Sequence, residues 1–263
     1  MIALSGGDTQ VATPEELAPV RDRLFGLVQD EQIRQVAITR PDPQAIRALL
    51  EIEDLSSIIS DAMDQLGVGG RVPATALAPI AKGQRICGPA VTIRYAQHGG
   101  DVSGLRQRKE RPALGERDMY ALGKSGDIGV FDCGGWTDAS VMGAISARWA
   151  RRFGIAGCVV DGAVRDVEGI EALGVPVWSR ALTPASGNYR MIAIEVNGVV
   201  SLGGVVVAPG DLIVADGTGI CVVPIKHVEA VVALVQKIQA GEKAVTDAID
   251  AGIAPRDVPK YTI

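Results

Sequence analysis

The sequence is poor in aromatic residues and in histidine, two residue types on which many binding and catalytic sites depend. Of its 263 residues, 4% are aromatic, and the histidines are His98 and His227 alone. A histidine-rich metal site or a Ser-His-Asp triad would have to use one of these two, and neither has a sequence neighbour that favours such a role. Because 47% of the residues are apolar, we expect a sizeable core of Val, Ile, Leu and Ala.

Cysteine and long apolar runs are also scarce. The four cysteines lie in apolar, strand-like contexts without a CxxC spacing, which predicts buried free thiols in a reducing compartment. No apolar run approaches the roughly 18 residues of a membrane span, and the first ten residues do not resemble a signal peptide. We therefore expect a cytoplasmic protein that does not enter a membrane.

Charge of one sign is not concentrated anywhere. The net charge is −5 with both signs interspersed. Because a nucleic-acid-binding surface needs a basic patch or stripe, we expect no nucleic acid partner.

Helical and strand-like segments alternate in the middle of the chain. One helix is predicted from Asp42, with Asp42 as N-cap and Pro43 first in the helix, and a second in "DLSSIISDAMDQLG". Buried strands are predicted in "ICGPAVTIRYA", "DIGVFDCGG", "IAGCVVDG" and "VPVWSRAL", and helical spacing in "DASVMGAISARWARRFG" and "VEGIEALG". This order favours an α/β fold with a mixed, partly parallel sheet.

The two ends of the chain lack this alternation of helical and strand-like segments. Residues 1–41 are polar and irregular apart from a helical stretch near 14–30, and we interpret them as an N-terminal arm before one domain at 42–263. A polar segment without a clear helix or strand pattern, "HGGDVSGLRQRKERPALGERD", follows the first long strand; we call it the polar excursion. After residue 190 the chain is β-rich, with a hairpin signal at Asn197-Gly198, and an amphipathic helix at about 227–250 closes it.

The first of two glycine-containing strand ends is "DCGG", which leads into the helix that contains Gly143. Ligands of open α/β sheets gather beyond the carboxyl ends of strands. If regular helix begins near Gly143, the backbone amides of Ala144, Ile145 and Ser146 would point at an anion. The alternative is that Gly143 only allows this helix to pack closely.

The second strand end is "DGAVRD", where Asp161-Gly162 is predicted to turn the chain ahead of Arg165 and Asp166. An arginine binds a carboxylate through two hydrogen bonds, and an aspartate at a loop tip suits Mg²⁺ or Mn²⁺. The alternative is that Asp166 caps a helix at 167–173 and Arg165 is a solvated charge.

These segments, in this order and spacing, resemble the RraA-like family, which includes 4-hydroxy-4-methyl-2-oxoglutarate aldolases and oxaloacetate decarboxylases. The resemblance covers roughly residues 54–224 and includes "ISDAMDQLG", "GCVVDGAVRD", "ALGVPVWSRALTP" and "GGVVVAPGDLIVADGTGICVVP". It implies a swivelling β/β/α domain, flanked here by N- and C-terminal helices, and a homotrimer or homohexamer with sites near subunit boundaries.

The resemblance also implies a function and its residues. The activity would be a divalent-metal-dependent lyase acting on a short 2-oxo acid or dicarboxylic acid through a pyruvate enolate. The family's arginine falls on Arg165, its metal-binding aspartate on Asp166, and its substrate-contacting loop on Gly143, Ala144, Ile145 and Ser146.

One position departs from the family's pattern. Active aldolases of the family tend to carry an aspartate twenty intervening residues before the arginine, and that position is Ala144 here. Asp138, or Asp61 of a neighbouring subunit, is the candidate replacement for proton transfer. Asp61 is otherwise an ordinary residue on the polar face of its helix.

Two other functions stay open at the level of sequence. A non-catalytic relative that binds a ribonuclease and regulates it would tolerate Ala144, although it would need neither Arg165 nor Asp166. A lyase or dehydratase for a sugar-derived acid would use the same metal and enolate chemistry.

Overall fold

A ten-stranded mixed sheet organises the part of the chain that the computed structural model describes, residues 10–260. A separate pair of strands, β9 and β10, lies against it. The strands are β1 (Arg71–Pro73), β2 (Ala78–Pro79), β3 (Ile86–Gln97), β4 (Ile128–Asp132), β5 (Ser140–Met142), β6 (Gly157–Val164), β7 (Val177–Leu182), β8 (Met191–Val196), β9 (Val200–Leu202), β10 (Val205–Val207), β11 (Leu212–Ala215) and β12 (Gly219–Val223).

The helices of the described chain flank this sheet. The α-helices are α1 (Pro14–Leu17), α2 (Pro43–Leu50), α3 (Leu55–Gln65), α4 (Val102–Arg108), α5 (Glu116–Leu122), α6 (Ala144–Arg152), α7 (Val167–Glu171) and α8 (Val228–Asp250). Short 3₁₀ helices cover Ala18–Arg23, Asp30–Gln32 and Ile225–His227.

The sheet has a parallel centre and antiparallel edges. Strands β3, β4, β6 and β7 are parallel neighbours, whereas β11 and β12 extend the sheet antiparallel from the other side of β3. The connections of the parallel strands contain α5, α6 and α7, as crossover connections require. The prediction of an α/β fold with a mixed, partly parallel sheet and flanking helices is confirmed.

Consecutive residues of the central strands contribute to different cores. Val160 faces a core that it shares with α5, α6 and α7. Its neighbour Val159 points to the opposite face, where Leu202 of the β9–β10 pair covers it. A third core lies between the antiparallel strands and helices α2, α3 and α8. Residues buried on both faces explain why the central strands have continuous apolar sequences.

The N-terminal segment of the described chain packs on the first of these cores. Leu17 and Ile33 are fully buried there, and Arg40 forms an ion pair with the buried Asp127 at 2.7 Å. The division at residue 41 remains a prediction. The helical stretch predicted near 14–30 does not form one α-helix. Helix α1 ends at Leu17 and a 3₁₀ helix follows to Arg23, because Pro19 lacks the amide that would continue α-helical hydrogen bonding.

Three other local predictions are also wrong. The polar excursion contains α4 and α5, and the latter was missed because its residues are buried all round. The predicted helix from Asp138 begins only at Ala144, since residues 140–142 are buried in β5 beside β6. The Asn197-Gly198 signal does not join a hairpin, because β8 pairs with β3 whereas β9 pairs with β10.

The predictions for helices α2, α3 and α8 are confirmed. Asp42 caps α2 by accepting the Gln44 amide, and Gly67 follows α3 in the left-handed conformation that favours glycine. The four cysteines are free and buried, as predicted. Among residues 10–260, no helix combines the length and hydropathy that a transmembrane span requires.

Candidate active site

Arg165 and Asp166 stand at the carboxyl end of β6, but the chain does not turn where the sequence suggested. Strand β6 continues through Asp161-Gly162, with a bulge between Val160 and Ala163, and ends at Val164. The predicted turn at Asp161-Gly162 is therefore wrong. The physical reason is that the Asp161 carboxylate is satisfied within the sheet by Arg180 and by the backbone amide of Gly203.

The turn itself lies at Asp166. Its backbone has φ 58° and ψ 44°, a left-handed conformation that aspartate tolerates better than most residues. The Arg165 amide donates to the carbonyl of Met142 at 3.1 Å, which holds the end of β6 beside the end of β5. Gly143 and α6 follow directly, so the two predicted loops do meet at one edge.

The Asp166 carboxylate binds the neighbouring helix and not its own. Its Oδ2 accepts the Ala144 amide, the first of α6, at 3.2 Å and lies 3.5 Å from Arg165 Nε. Asp166 occupies the N-cap position of α7, as predicted, but its side chain makes no capping bond there. The Asp166 side chain is 45% exposed, and within residues 10–260 its Oδ1 carries no hydrogen bond.

Gly143 is needed for the close approach of this pair. A Cβ at position 143 would lie 2.5 Å from Asp166 Oδ2 and 3.1 Å from Arg165 Cγ. As N-cap of α6, Gly143 has no side chain to bond the first amides, and the Asp166 carboxylate supplies that bond. Gly143 therefore makes room for Asp166 and Arg165, and anion binding at the first amides of α6 remains a prediction.

The next two residues of α6 differ in accessibility. The Ile145 side chain is 71% exposed. Ser146 is buried, and its hydroxyl hydrogen-bonds with that of Tyr120 at 3.1 Å. Because the first amides of a helix have no intrahelical acceptor, the amides of Ile145 and Ser146 are the two that remain for an anion after Asp166 has taken the first.

A cavity of about 250 Å³ opens beside these residues. Gly143, Ile145, Ser146, Arg165 and Asp166 lie in its wall, so the structure brings together all the predicted loop residues except Ala144, which contributes its amide to Asp166. The rest of the lining holds polar residues that the sequence analysis missed. They are Arg111, Glu116, Arg117, Ser140, Ser186 and Asn188.

Three of these missed residues, Arg111, Glu116 and Arg117, come from a stretch without a recognisable pattern. "RPALGERD" lies inside the segment interpreted as a polar excursion, and its close packing against Val28 depends on Gly115. That glycine has φ 70°, and a Cβ there would lie 2.6 Å from a Val28 methyl group. A glycine before an acidic residue was the available sequence signal, and it is too common to be specific.

The two candidate proton-transfer residues lie elsewhere in the chain. Asp61 is in a second cleft, with Arg71 and Thr218, where burial is the main cause that raises the pKa of its carboxyl group. Asp138 is exposed in the bend before β5 and does not line the cavity. Neither reaches the cavity of its own chain.

The RraA-like family profile, described as Aldolase/RraA, matches residues 56–222. The match includes β6, the Arg165-Asp166 pair and α6. The chain belongs to the RraA-like family.

Individual relatives of this RraA-like chain carry different names. "Putative 4-hydroxy-4-methyl-2-oxoglutarate aldolase" of Halalkalibacterium halodurans is 33% identical over 75% of this chain and 86% of its own. Protein DlpA of Legionella pneumophila is 34% identical over 75% of this chain, but the match spans only 30% of DlpA. Among solved structures, RraAS2 of Streptomyces coelicolor is 25% identical, with a TM-score of 0.65 over 79% of this chain and 98% of its own. RraAS2 is described as an unusual member of the RNase ES inhibitor RraA protein family.

The cavity beside Arg165 and Asp166 has few groups that could hold a metal ion. Within residues 10–260, no cluster of three or more His, Cys, Asp or Glu residues is placed to bind one. Asp166 offers one unbonded carboxylate oxygen at the cavity wall. Because Mg²⁺ keeps several waters and often takes only one or two carboxylates from the protein, this donor set fits Mg²⁺ or Mn²⁺ that completes its shell with water and substrate oxygens.

Proposed function

We propose that this protein is a divalent-metal-dependent lyase that acts on a short 2-oxo acid or dicarboxylic acid. One observation carries the proposal: Arg165, Asp166 and the first turn of α6 converge on one cavity. That arrangement gives a guanidinium, a metal-binding carboxylate and free backbone amides on one wall. The name of the Halalkalibacterium relative supports the reaction class.

Each group of the wall has a separate task in this proposal. The Arg165 guanidinium binds the substrate carboxylate and balances the negative charge of the pyruvate enolate that forms when the carbon–carbon bond breaks. The amides of Ile145 and Ser146 bind a second anionic oxygen. Asp166 holds Mg²⁺ or Mn²⁺, which polarises the 2-oxo group when bound.

Oxaloacetate decarboxylation and aldol cleavage differ in their demand for a base. Aldol cleavage requires removal of a hydroxyl proton, whereas decarboxylation does not. Because residue 144 is alanine, we propose that the protein decarboxylates oxaloacetate more readily than it cleaves 4-hydroxy-4-methyl-2-oxoglutarate.

The test is a metal titration of the chelator-treated, dialysed protein. Pyruvate release from oxaloacetate and from 4-hydroxy-4-methyl-2-oxoglutarate is measured at each Mg²⁺ and Mn²⁺ concentration. We expect activity only with metal and a large loss in Arg165→Lys, which keeps the charge but loses the paired donors. Full activity of the metal-free protein would overturn the metal assignment, and no pyruvate from any 2-oxo acid tested would overturn the function.

We also propose that the protein works as a homotrimer or homohexamer. Asp61 and the Arg165 cavity are separate in one chain, so Asp61 can serve the site only from another copy. A stable, fully active monomer in light scattering would contradict this assembly.

A further inference from the structure

A buried carboxyl group in the cavity has no structural task within the described chain. Glu116, the first residue of α5, lines the cavity and is 7% exposed. Apart from its own backbone amide, no group in residues 10–260 donates a hydrogen bond to its carboxylate. Asp118, two residues later, shows the contrast, because its carboxylate accepts three backbone amides of residues 25–28.

Several groups act on the pKa of the Glu116 carboxyl group, which is raised. Burial is the largest cause that raises it, and Asp118 adds to it, while the backbone amide of Glu116, Arg117 and Arg111 act in the opposite direction. Arg117 Nε lies 3.9 Å from the Glu116 carboxylate and is itself buried with no hydrogen-bond partner in residues 10–260. The protonated form is thus favoured by burial, and the ionised form has a cation beside it. A group that exchanges protons needs both.

The proposed reaction lacks such a group elsewhere in the cavity. Residue 144 is alanine, and Asp61 and Asp138 lie outside the cavity of their own chain. Asp166 is committed to the Ala144 amide and to the metal. Ser146 is bonded to Tyr120. Glu116 is therefore the carboxyl group left on the cavity wall.

We propose that Glu116 is the proton-transfer residue of this site, acting on the substrate atoms next to the bond that breaks. This inference rests on the proposed lyase function. In decarboxylation, the C3–C4 bond of oxaloacetate breaks, C4 leaves as CO₂, and the electron pair stays in the pyruvate enolate. Glu116 then donates its proton to C3, becomes a carboxylate, and regains a proton from solvent.

In aldol cleavage Glu116 acts only after the bond breaks. The C4 hydroxyl proton of 4-hydroxy-4-methyl-2-oxoglutarate passes to solvent as the C3–C4 bond breaks, because residue 144 carries no carboxyl group to accept it, and one pyruvate and one pyruvate enolate result. Glu116 then donates its proton to C3 of the enolate and regains a proton from solvent. No oxidant, reductant or second substrate is needed.

The experiment measures proton transfer separately from bond cleavage. Full-length protein with Mg²⁺ is incubated with pyruvate in D₂O, and exchange of the methyl protons is followed by NMR. Oxaloacetate decarboxylation is measured in parallel. We expect Glu116→Gln to slow methyl exchange by about 100-fold or more, in the range of general acid–base catalysis, and to slow decarboxylation by less than about tenfold, because CO₂ departs without proton transfer.

Two further variants separate a chemical role from a structural one. Glu171→Gln, an exposed carboxyl group on α7 away from the cavity, should change neither rate. Glu116→Asp keeps an acid and should recover part of the exchange that Glu116→Gln loses. Binding of oxalate, a planar mimic of the enolate, in the presence of Mg²⁺ should persist in all three variants.

The outcomes distinguish this inference from the function on which it rests. Native protein that is active while Glu116→Gln exchanges methyl protons at the native rate would overturn the inference alone. Loss of oxalate binding in both Glu116 variants would also overturn it, because Glu116 would then be a structural residue. Native protein that shows neither cleavage nor exchange would overturn the function and the inference together.

Discussion

Two arginine–aspartate pairs on and just after strand β6 have opposite tasks. Asp161 lies inside the strand with its side chain 5% exposed, and Arg180 on the neighbouring strand β7 bonds to it at 2.6 Å. Asp166 lies two residues beyond the strand with its side chain 45% exposed, and Arg165 Nε is 3.5 Å away. The first pair is tight and its carboxylate is buried, whereas the second is loose and open to the cavity.

The difference follows from where each carboxylate finds its hydrogen bonds. Both oxygens of Asp161 are used, one by Arg180 and one by the Gly203 amide of the β9–β10 turn. Asp132, its partner in the register of β4, makes the same kind of bond to the Ser201 amide. These two aspartates fasten the β9–β10 pair to the sheet. Asp166 leaves one oxygen unbonded, and only an unsaturated group has capacity for a metal or a substrate.

The largest expected effect is on activity, in Asp166→Ala. This change should lower metal-dependent turnover by about 1000-fold or more, equal to roughly 4 kcal/mol. The free energy of unfolding should change by less than about 1 kcal/mol, because the ion pair is half-exposed. Turnover at saturating Mg²⁺ and urea denaturation measure the two quantities. A variant that keeps native turnover would show that Asp166 is a helix cap and nothing more.

The matched change in the Asp161–Arg180 pair should lower the stability of the fold. Arg180→Ala leaves the Asp161 carboxylate buried without its cation, and we expect a loss of about 3 kcal/mol in the free energy of unfolding. Turnover per folded molecule should stay within about threefold of native, since Arg180 does not line the cavity. Urea denaturation and activity at low temperature provide the check. A variant as stable as the native protein would remove the distinction between the pairs.

The next prediction concerns position 144, next to the Arg165–Asp166 pair. Ala144→Asp places a carboxyl group beside Asp166, at the first position of α6, where an acidic residue suits the helix dipole. We expect cleavage of 4-hydroxy-4-methyl-2-oxoglutarate to rise about 100-fold, the lower end of what a general base typically contributes, with little change in oxaloacetate decarboxylation. Both reactions are measured at saturating Mg²⁺. Efficient native cleavage that the substitution leaves unchanged would show that another group already supplies the base.

The smallest expected effect is that of one methyl group. In Gly143→Ala the new Cβ would lie 2.5 Å from Asp166 Oδ2, so the carboxylate must move away from the Ala144 amide. We expect an affinity for Mg²⁺ about tenfold weaker, since small displacements of a positioned group are costly to its function. Isothermal titration with Mg²⁺ gives the affinity and thermal unfolding the stability. Unchanged binding would mean that the position of the Asp166 carboxylate is not critical.

Local patterns in the sequence were sufficient for several of the regular elements and for the cavity residues at the ends of β6 and β5. The buried strands β4, β6 and β7 were visible because each is a short apolar run bounded by glycine or charge. The beginning of α2 was visible from Asp42 and Pro43. Arg165, Asp166 and the start of α6 were found because strand ends and helix beginnings leave signals in adjacent residues.

The rest of the lining was decided by the tertiary structure alone. Glu116 and Arg117 lie in a short, mostly buried helix, so no periodicity marks it, and they share a cavity with Arg165 only because the chain packs α5 against α6. The same limit explains the wrong prediction of a turn at Asp161. The residues around it are typical of a strand end, but its carboxylate accepts hydrogen bonds from Arg180 and Gly203 in other parts of the chain. Sequence specifies which groups a segment carries, and long-range packing determines which of them are left free to act.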